Sequence, residues 1–206
     1  MNREQLAHAI RASCAITQLD SVIIIGSQAI LGSYDEDELP QAATASREVD
    51  VWPDVEDPRL EQELSDLLAG VAGELSLFEE QHGFALDGVD HTTAALPEGW
   101  RERLLPFSNA QTQDVVTGRQ YTGWCLSPAD LCVAKLCAAR EKDQTFVHAL
   151  FRACCFFGVV SGRVSGRVGG TIVLWLRVSR RWIGTRGSCC RWICGIGSRL
   201  IIWSGS

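Results

Sequence analysis

The chain has 206 residues, 46% hydrophobic and 21% charged, a composition that suits one globular domain with a substantial core and excludes a disordered or fibrous protein. Acids and arginines interrupt its first twenty residues, and Arg163, Arg167, Arg177 and Arg180 break up the most apolar region, so neither a secretory signal nor a membrane span is predicted and the expected address is the cytoplasm. The formal charge is −6, and it is −15 over residues 1–143, which argues against a long nucleic acid as partner of that part.

Along the chain, Leu6, Ala7, Ile10 and Cys14 recur at helical spacing and predict a first helix over residues 3–16. Ser21-Val-Ile-Ile-Ile is a continuous β-branched run, the pattern of a strand buried on both faces, and it leads straight into Gly26-Ser27. Gln28-Ala-Ile-Leu reads as a short helical turn before an acidic loop. Residues 46–52, bounded by Pro53, predict a second strand in which Val49 and Val51 face the core while Glu48 and Asp50 project together from the other face. A helix is predicted over 57–72, with Leu60, Leu64, Leu67, Leu68 and Val71 as its apolar stripe. Phe84-Ala-Leu and Val115-Val are weaker strand signals, and residues 96–104 suggest a turn entering a short helix. Ser127-Pro-Ala-Asp is a helix start, with a capping Ser, Pro in the first turn and an acid at the positive dipole end. That helix carries Leu131, Ala134, Lys135 and Ala138, and a second continues through Phe146, Val147 and Leu150.

A strand ending in Gly-Ser and opening a helix makes a backbone anion site, since glycine permits close approach and the Ser hydroxyl adds a donor. Two acids at i and i+2 on one strand face supply the hard oxygen ligands that Mg²⁺ prefers. Gly26 and Ser27 with Glu48 and Asp50 therefore form a candidate phosphate and metal site. Asp87 is the candidate third carboxylate, against a plain Asp-Gly turn. Lys135 is a candidate phosphate contact supported by Asp143 and Arg140, against a snorkelling Lys beside a surface Arg–Asp pair. His82, His91 and His148 have no partner spacing and are read as surface or turn residues. The nine cysteines lack metal-ligand spacing and are read as free thiols. No Gly-x-Ser-x-Gly, Walker or dinucleotide fingerprint is present.

Ile23-Ile-Ile-Gly-Ser-Gln-Ala-Ile-Leu-Gly followed by Ser46-Arg-Glu-Val-Asp-Val resembles the signature of the DNA polymerase beta nucleotidyltransferase superfamily. The stretch Asp130 to Asp143 resembles the Lys-bearing helix and Arg-x-Lys-Asp segment of its abortive-infection toxin-type branch, and the whole body looks closest to a bacterial family of uncharacterised nucleotidyltransferase-like proteins. The resemblance implies an α+β (mixed α/β) fold, a mixed sheet flanked by helices. It assigns Mg²⁺ to Glu48 and Asp50, gives Asp87 a role as base or metal ligand, and makes an NTP the donor to an unknown acceptor. Glu48 departs from the usual Asp. The alternative is a catalytically inactive nucleotide-binding or regulatory domain in a toxin–antitoxin-like system.

The tail follows another design. Residues 144–206 hold nine Arg, no Lys and none of the 25 acids, in strings such as Cys189-Cys-Arg-Trp-Ile-Cys. The division falls at residues 1–152 and 153–206. The second part is expected to be irregular, either a basic arm or, as we prefer, the product of a reading-frame shift near Arg152–Phe156, with Thr171–Val178 its one strand-like segment.

Overall fold

A computed structural model describes residues 1–153 and, beyond them, the backbone of residues 164–165, 191–196 and 199–204. Helix α1 (Arg3–Thr17) starts at Asn2, whose side chain accepts from the Gln5 amide at 2.8 Å while the Gln5 side chain accepts from the Asn2 amide, a reciprocal cap. Leu6, Ala7, Ile10 and Cys14 are fully buried, as their spacing predicts. Then follow β1 (Ser21–Ile24), the 3-10 helix Ser27–Gly32, the short α2 (Gln41–Thr44) and β2 (Glu48–Trp52). After these come α3 (Pro58–Ala72), α4 (Leu77–His82), β3 (Ala85–Gly88), β4 (Leu96–Pro97), β5 (Leu105–Phe107), β6 (Thr122–Cys125), α5 (Pro128–Ala138) and α6 (Glu141–Arg152).

Five strands form a mixed sheet in the order β3-β2-β1-β6-β5, with β1–β2 and β5–β6 antiparallel and β2–β3 and β1–β6 parallel. This is the mixed α/β architecture that the sequence implies. Glycines let two helices lie against one face of it: a Cβ at Gly123 would stand 2.3 Å from Ile10 Cδ1 on α1, and one at Gly88 would stand 1.9 Å from the Ser65 carbonyl oxygen on α3. Since successive residues alternate faces, Val49, Val51 and Leu86 share the helix-covered side with Gly88, while Glu48, Asp50 and Asp87 point to the opposite side. The fully buried β-branched run of β1 fills the middle of the core.

Helix α5 is fixed at its start. The Ser127 Oγ accepts from the Asp130 amide at 3.2 Å and donates to the Asp130 carboxylate at 2.6 Å. Arg103 forks onto the same buried carboxylate through Nε at 2.9 Å and Nη2 at 2.7 Å. This anchors the helix that carries Lys135.

Several elements differ from the sequence expectation. Helix α3 turns Glu61, Ser65, Leu68 and Ala72 inward and leaves Leu60, Leu67 and Val71 between 42% and 51% exposed. Ser65 Oγ donates to the Val89 carbonyl at 2.9 Å and Glu61 accepts from the His91 amide at 2.8 Å, so bonds to the chain after β3 fix this face together with the fully buried Leu68. Val115 and Val116 form no strand. They are over 90% exposed in a turn closed by the Asp114 carboxylate, which accepts from the Val116 amide at 2.8 Å. Strands β5 and β6 carry no sequence signal of their own, and β6 takes its conformation from pairing with β1.

In the tail, β7 (Val164–Ser165) pairs with β4, and β8 (Arg191–Ile196) with β9 (Arg199–Ser204) makes an antiparallel hairpin with Trp192 opposite Trp203. These short segments follow the strand preference of Ile and Trp. The candidate strand at 171–178 lies outside the described residues. No helix among the described residues is long and apolar enough to cross a membrane.

Candidate active site

Strand β1 delivers Gly26 to the edge of the β2 carboxylates. A Cβ built on Gly26 would stand 1.4 Å from Asp50 Oδ2, so only glycine leaves room for this carboxylate. Its φ of −81° is open to any residue, so the constraint is this close approach. Ser27 opens a 3-10 helix of six residues, whose Ala29 amide is already bonded to the Gly26 carbonyl at 3.0 Å. The buried Gln28 ties this turn to the approach of β2 by donating to the Ser46 carbonyl at 2.9 Å.

Register sets the acids together. Asp50 stands directly opposite Asp87 on the parallel neighbour, and Glu48 lies two residues earlier on the same face. Burial, then the charges of Glu48 and Asp87, push the Asp50 carboxyl up to about 6, with Lys135 opposing the rise. Burial and the Asp87 charge raise Glu48 as well, and burial raises Asp87. Three carboxyls with raised pKa on one sheet face are short of positive charge.

That charge stands on the wall built by α5 and α6. Lys135, 9% exposed, donates from Nζ to Ser27 Oγ at 3.0 Å and to Asp143 Oδ1 at 3.0 Å, and its ammonium lies 4.4 Å from the Phe146 ring centroid. Arg140 Nε donates to Asp143 Oδ2 at 2.5 Å. Asp143 is fully buried, so the reading of a surface Arg–Asp pair beside a snorkelling Lys gives way to a buried carboxylate shared by two cations. Burial alone would raise the Asp143 carboxyl; the bonds from Arg140 and Lys135 outweigh it and hold it below its usual range.

One cleft of about 1010 Å³ brings together all eight residues singled out from the sequence: Gly26, Ser27, Glu48, Asp50, Asp87, Lys135, Arg140 and Asp143. This is the upper end of the range for small-molecule sites. Lys142, Phe146 and His91 also line it and were missed. Lys142 could have been found beside Arg140; His91 could not, because its partner Glu61 lies 30 residues away. His91 is thus an exposed turn residue, as its lack of partner spacing predicts, that also borders the cleft and bonds to Glu61 through its ring.

The donor set suits Mg²⁺ in chemistry, being all carboxylate oxygen. Among the described residues no three His, Cys, Asp or Glu side chains already form a metal cage. Mg²⁺ does not demand one, since it usually keeps several waters and takes one or two carboxylates plus substrate phosphates.

The family model described as "Nucleotidyltransferase of unknown function (DUF6036)" matches residues 4–152. The chain belongs to this family. No curated protein and no solved structure matches the chain. Membership in a nucleotidyltransferase family agrees with a Gly-Ser turn, strand carboxylates and a cationic wall around one cleft.

Gly26→Ala tests the packing of this cleft. The new methyl must displace the Asp50 carboxylate, and overpacking costs about 1–3 kcal/mol of stability. In an Asp50→Gly background the same substitution should cost little. A thermal-melt double-mutant cycle reads the coupling, and additive effects would show that Asp50 is not what Gly26 accommodates.

Proposed function

We propose that the cleft transfers a nucleoside monophosphate from an NTP to a hydroxyl acceptor, with Mg²⁺ as cofactor. The observation that carries this reading is the facing arrangement of Glu48, Asp50 and Asp87 on one sheet face with Lys135, Arg140 and Lys142 on the opposing wall. Family membership and the resemblance of the Gly-Ser and Glu-Val-Asp segments to the polymerase beta superfamily support it.

Glu48 and Asp50 would hold the metal ion, which when bound neutralises phosphate charge and polarises the α-phosphoryl group. Lys135 and Arg140 offer positive charge to the triphosphate, and Ser27, already hydrogen-bonded to Lys135, stands where the strand meets the phosphates. The acceptor oxygen bonds to the α-phosphorus, the bond to the bridging oxygen breaks, and pyrophosphate leaves. Asp87 takes the hydroxyl proton, a role favoured by burial, which raises its affinity for that proton.

A second reading, a nucleotide-binding domain without turnover, draws on the exposed Glu48, whose extra methylene sets its carboxylate about an ångström from where an Asp would put it. Pyrophosphate release separates the two. Under the transfer reading the wild type releases pyrophosphate from Mg²⁺-NTP, and Asp87→Asn lowers the rate by about 10²–10⁴ with nucleotide affinity kept. A wild type that binds Mg²⁺-NTP yet releases none with any acceptor class belongs to the second reading.

A further inference from the structure

Helix α3 points Glu61 and Ser65 inward while Leu60, Leu67 and Val71 face solvent. Burying a carboxylate is costly unless it is bonded, and the bonds of Glu61 all go to one residue. Its Oε1 accepts from the His91 amide at 2.8 Å, and its two oxygens lie 3.3 and 3.1 Å from His91 Nδ1. Ser65 fastens the preceding residues through the Val89 carbonyl, and Asp90 closes the loop by accepting from the Thr92 amide at 2.7 Å. The chain after β3 is therefore pinned on both sides of a histidine whose own side chain is 57% exposed and borders the cleft.

A carboxylate oxygen facing Nδ1 only accepts, so in the neutral ring the proton sits on Nδ1 and Nε2 is left as a hydrogen-bond acceptor. The neighbouring hydroxyls are not available in the same way, because Thr92 Oγ1 donates to Asp90 at 2.7 Å and Thr93 Oγ1 accepts from the Asp90 amide at 3.2 Å. Charge divides the cleft: the cations Lys135, Arg140 and Lys142 stand on α5, at the α5–α6 junction and on α6, whereas the lining residues between 85 and 100 are Asp87, His91, Thr92, Thr93, Ala94 and Ala95, with no Lys or Arg among them. A triphosphate belongs on the first side. The second disfavours an anion and favours a neutral or cationic molecule.

We infer that the His91 side of the cleft is the acceptor subsite, where Nε2, oriented by Glu61, accepts a hydrogen bond from a hydroxyl of a neutral or cationic polyol. This rests on the nucleotidyl-transfer reading above and narrows its acceptor. His91 is a positioning residue for the acceptor and Glu61 positions His91 in turn.

The experiment measures pyrophosphate release from the four NTPs with Mg²⁺, alone and with inositol as neutral probe, glucosamine as cationic probe or a short oligoribonucleotide as anionic probe. In the wild type a neutral or cationic probe should raise the rate at least ~10-fold over the probe-free rate. His91→Ala should lose that stimulation while its probe-free rate and Mg²⁺-NTP affinity stay within about twofold, and His91→Gln, whose amide oxygen also accepts, should recover part of it. Nitrogen NMR of the folded wild type should place the ring proton on Nδ1. Stimulation indifferent to His91, stimulation by the oligonucleotide alone, or a proton on Nε2 with Nδ1 bare overturns the subsite without touching the transfer reading. No pyrophosphate under any condition overturns both.

Discussion

Asp50→Asn should melt at a higher temperature than the wild type in metal-free buffer at pH 8, and should at the same time lose Mg²⁺-nucleotide binding. In the folded protein the Asp50 carboxyl is raised from 3.8 to about 6 by burial and by Glu48 and Asp87. A raised carboxyl favours the folded state in its protonated form, so its contribution is present below the unfolded pKa and is lost as pH rises through the folded one. Above pH 6 the ionised group costs up to about 3 kcal/mol. Asparagine removes that cost, which corresponds to roughly 5–10 °C in a chain of this size. The gap between variant and wild type should open between pH 4 and 6 and close below it, while nucleotide affinity falls at least ~10²-fold at every pH. Thermal melts across pH and a calorimetric titration read both arms. Equal melting temperatures at pH 8 would mean that ionised Asp50 carries no cost from burial or from its acidic neighbours.

Lys135→Met should act in the other direction. It leaves Asp143, fully buried, with Arg140 as its remaining charged partner in the cleft wall, and it removes the donor to Ser27. Breaking a buried pair from one side costs about 3–5 kcal/mol. Asp143 is held below its usual range, so its stabilisation is present above the unfolded pKa and lost as pH falls through the folded one. Losing Lys135 narrows that window, and acid unfolding should begin at a higher pH than in the wild type. Adding Asp143→Leu removes the buried charge left with one partner and should recover much of the stability. Nucleotide affinity should stay lost in the double variant, because the phosphate contact proposed for Lys135 is gone. Recovery of both together would make Lys135 a purely structural residue.

How much of this was legible in the sequence depends on the range of the interaction. The alternation of Val49 and Val51 with Glu48 and Asp50 gives strand faces directly, and Ser127-Pro-Ala-Asp gives the start of α5, because each is settled within a few residues. The placing of Asp87 opposite Asp50 is a matter of β2–β3 register, which no local pattern states. Helix α3 shows the limit most clearly. Its leucines predict one buried stripe, but bonds from Glu61 and Ser65 to residues 24 and 30 positions away hold a different face inward. His91 was passed over for the same reason. The sequence singles out Gly26 for close approach of a phosphate, while its necessity comes from a carboxylate on another strand.

The most direct test of the central claim is the fate of labelled phosphorus. Wild-type protein is given Mg²⁺ and NTPs labelled at either the α or the γ position, and the products are separated. The account predicts that the γ label leaves in pyrophosphate while the α label remains with the nucleoside monophosphate delivered to the acceptor, and that Asp50→Asn does neither. Appearance of the γ label as orthophosphate, with the α label left in a nucleoside diphosphate, would mean that the cleft cleaves the outer phosphate and would contradict it.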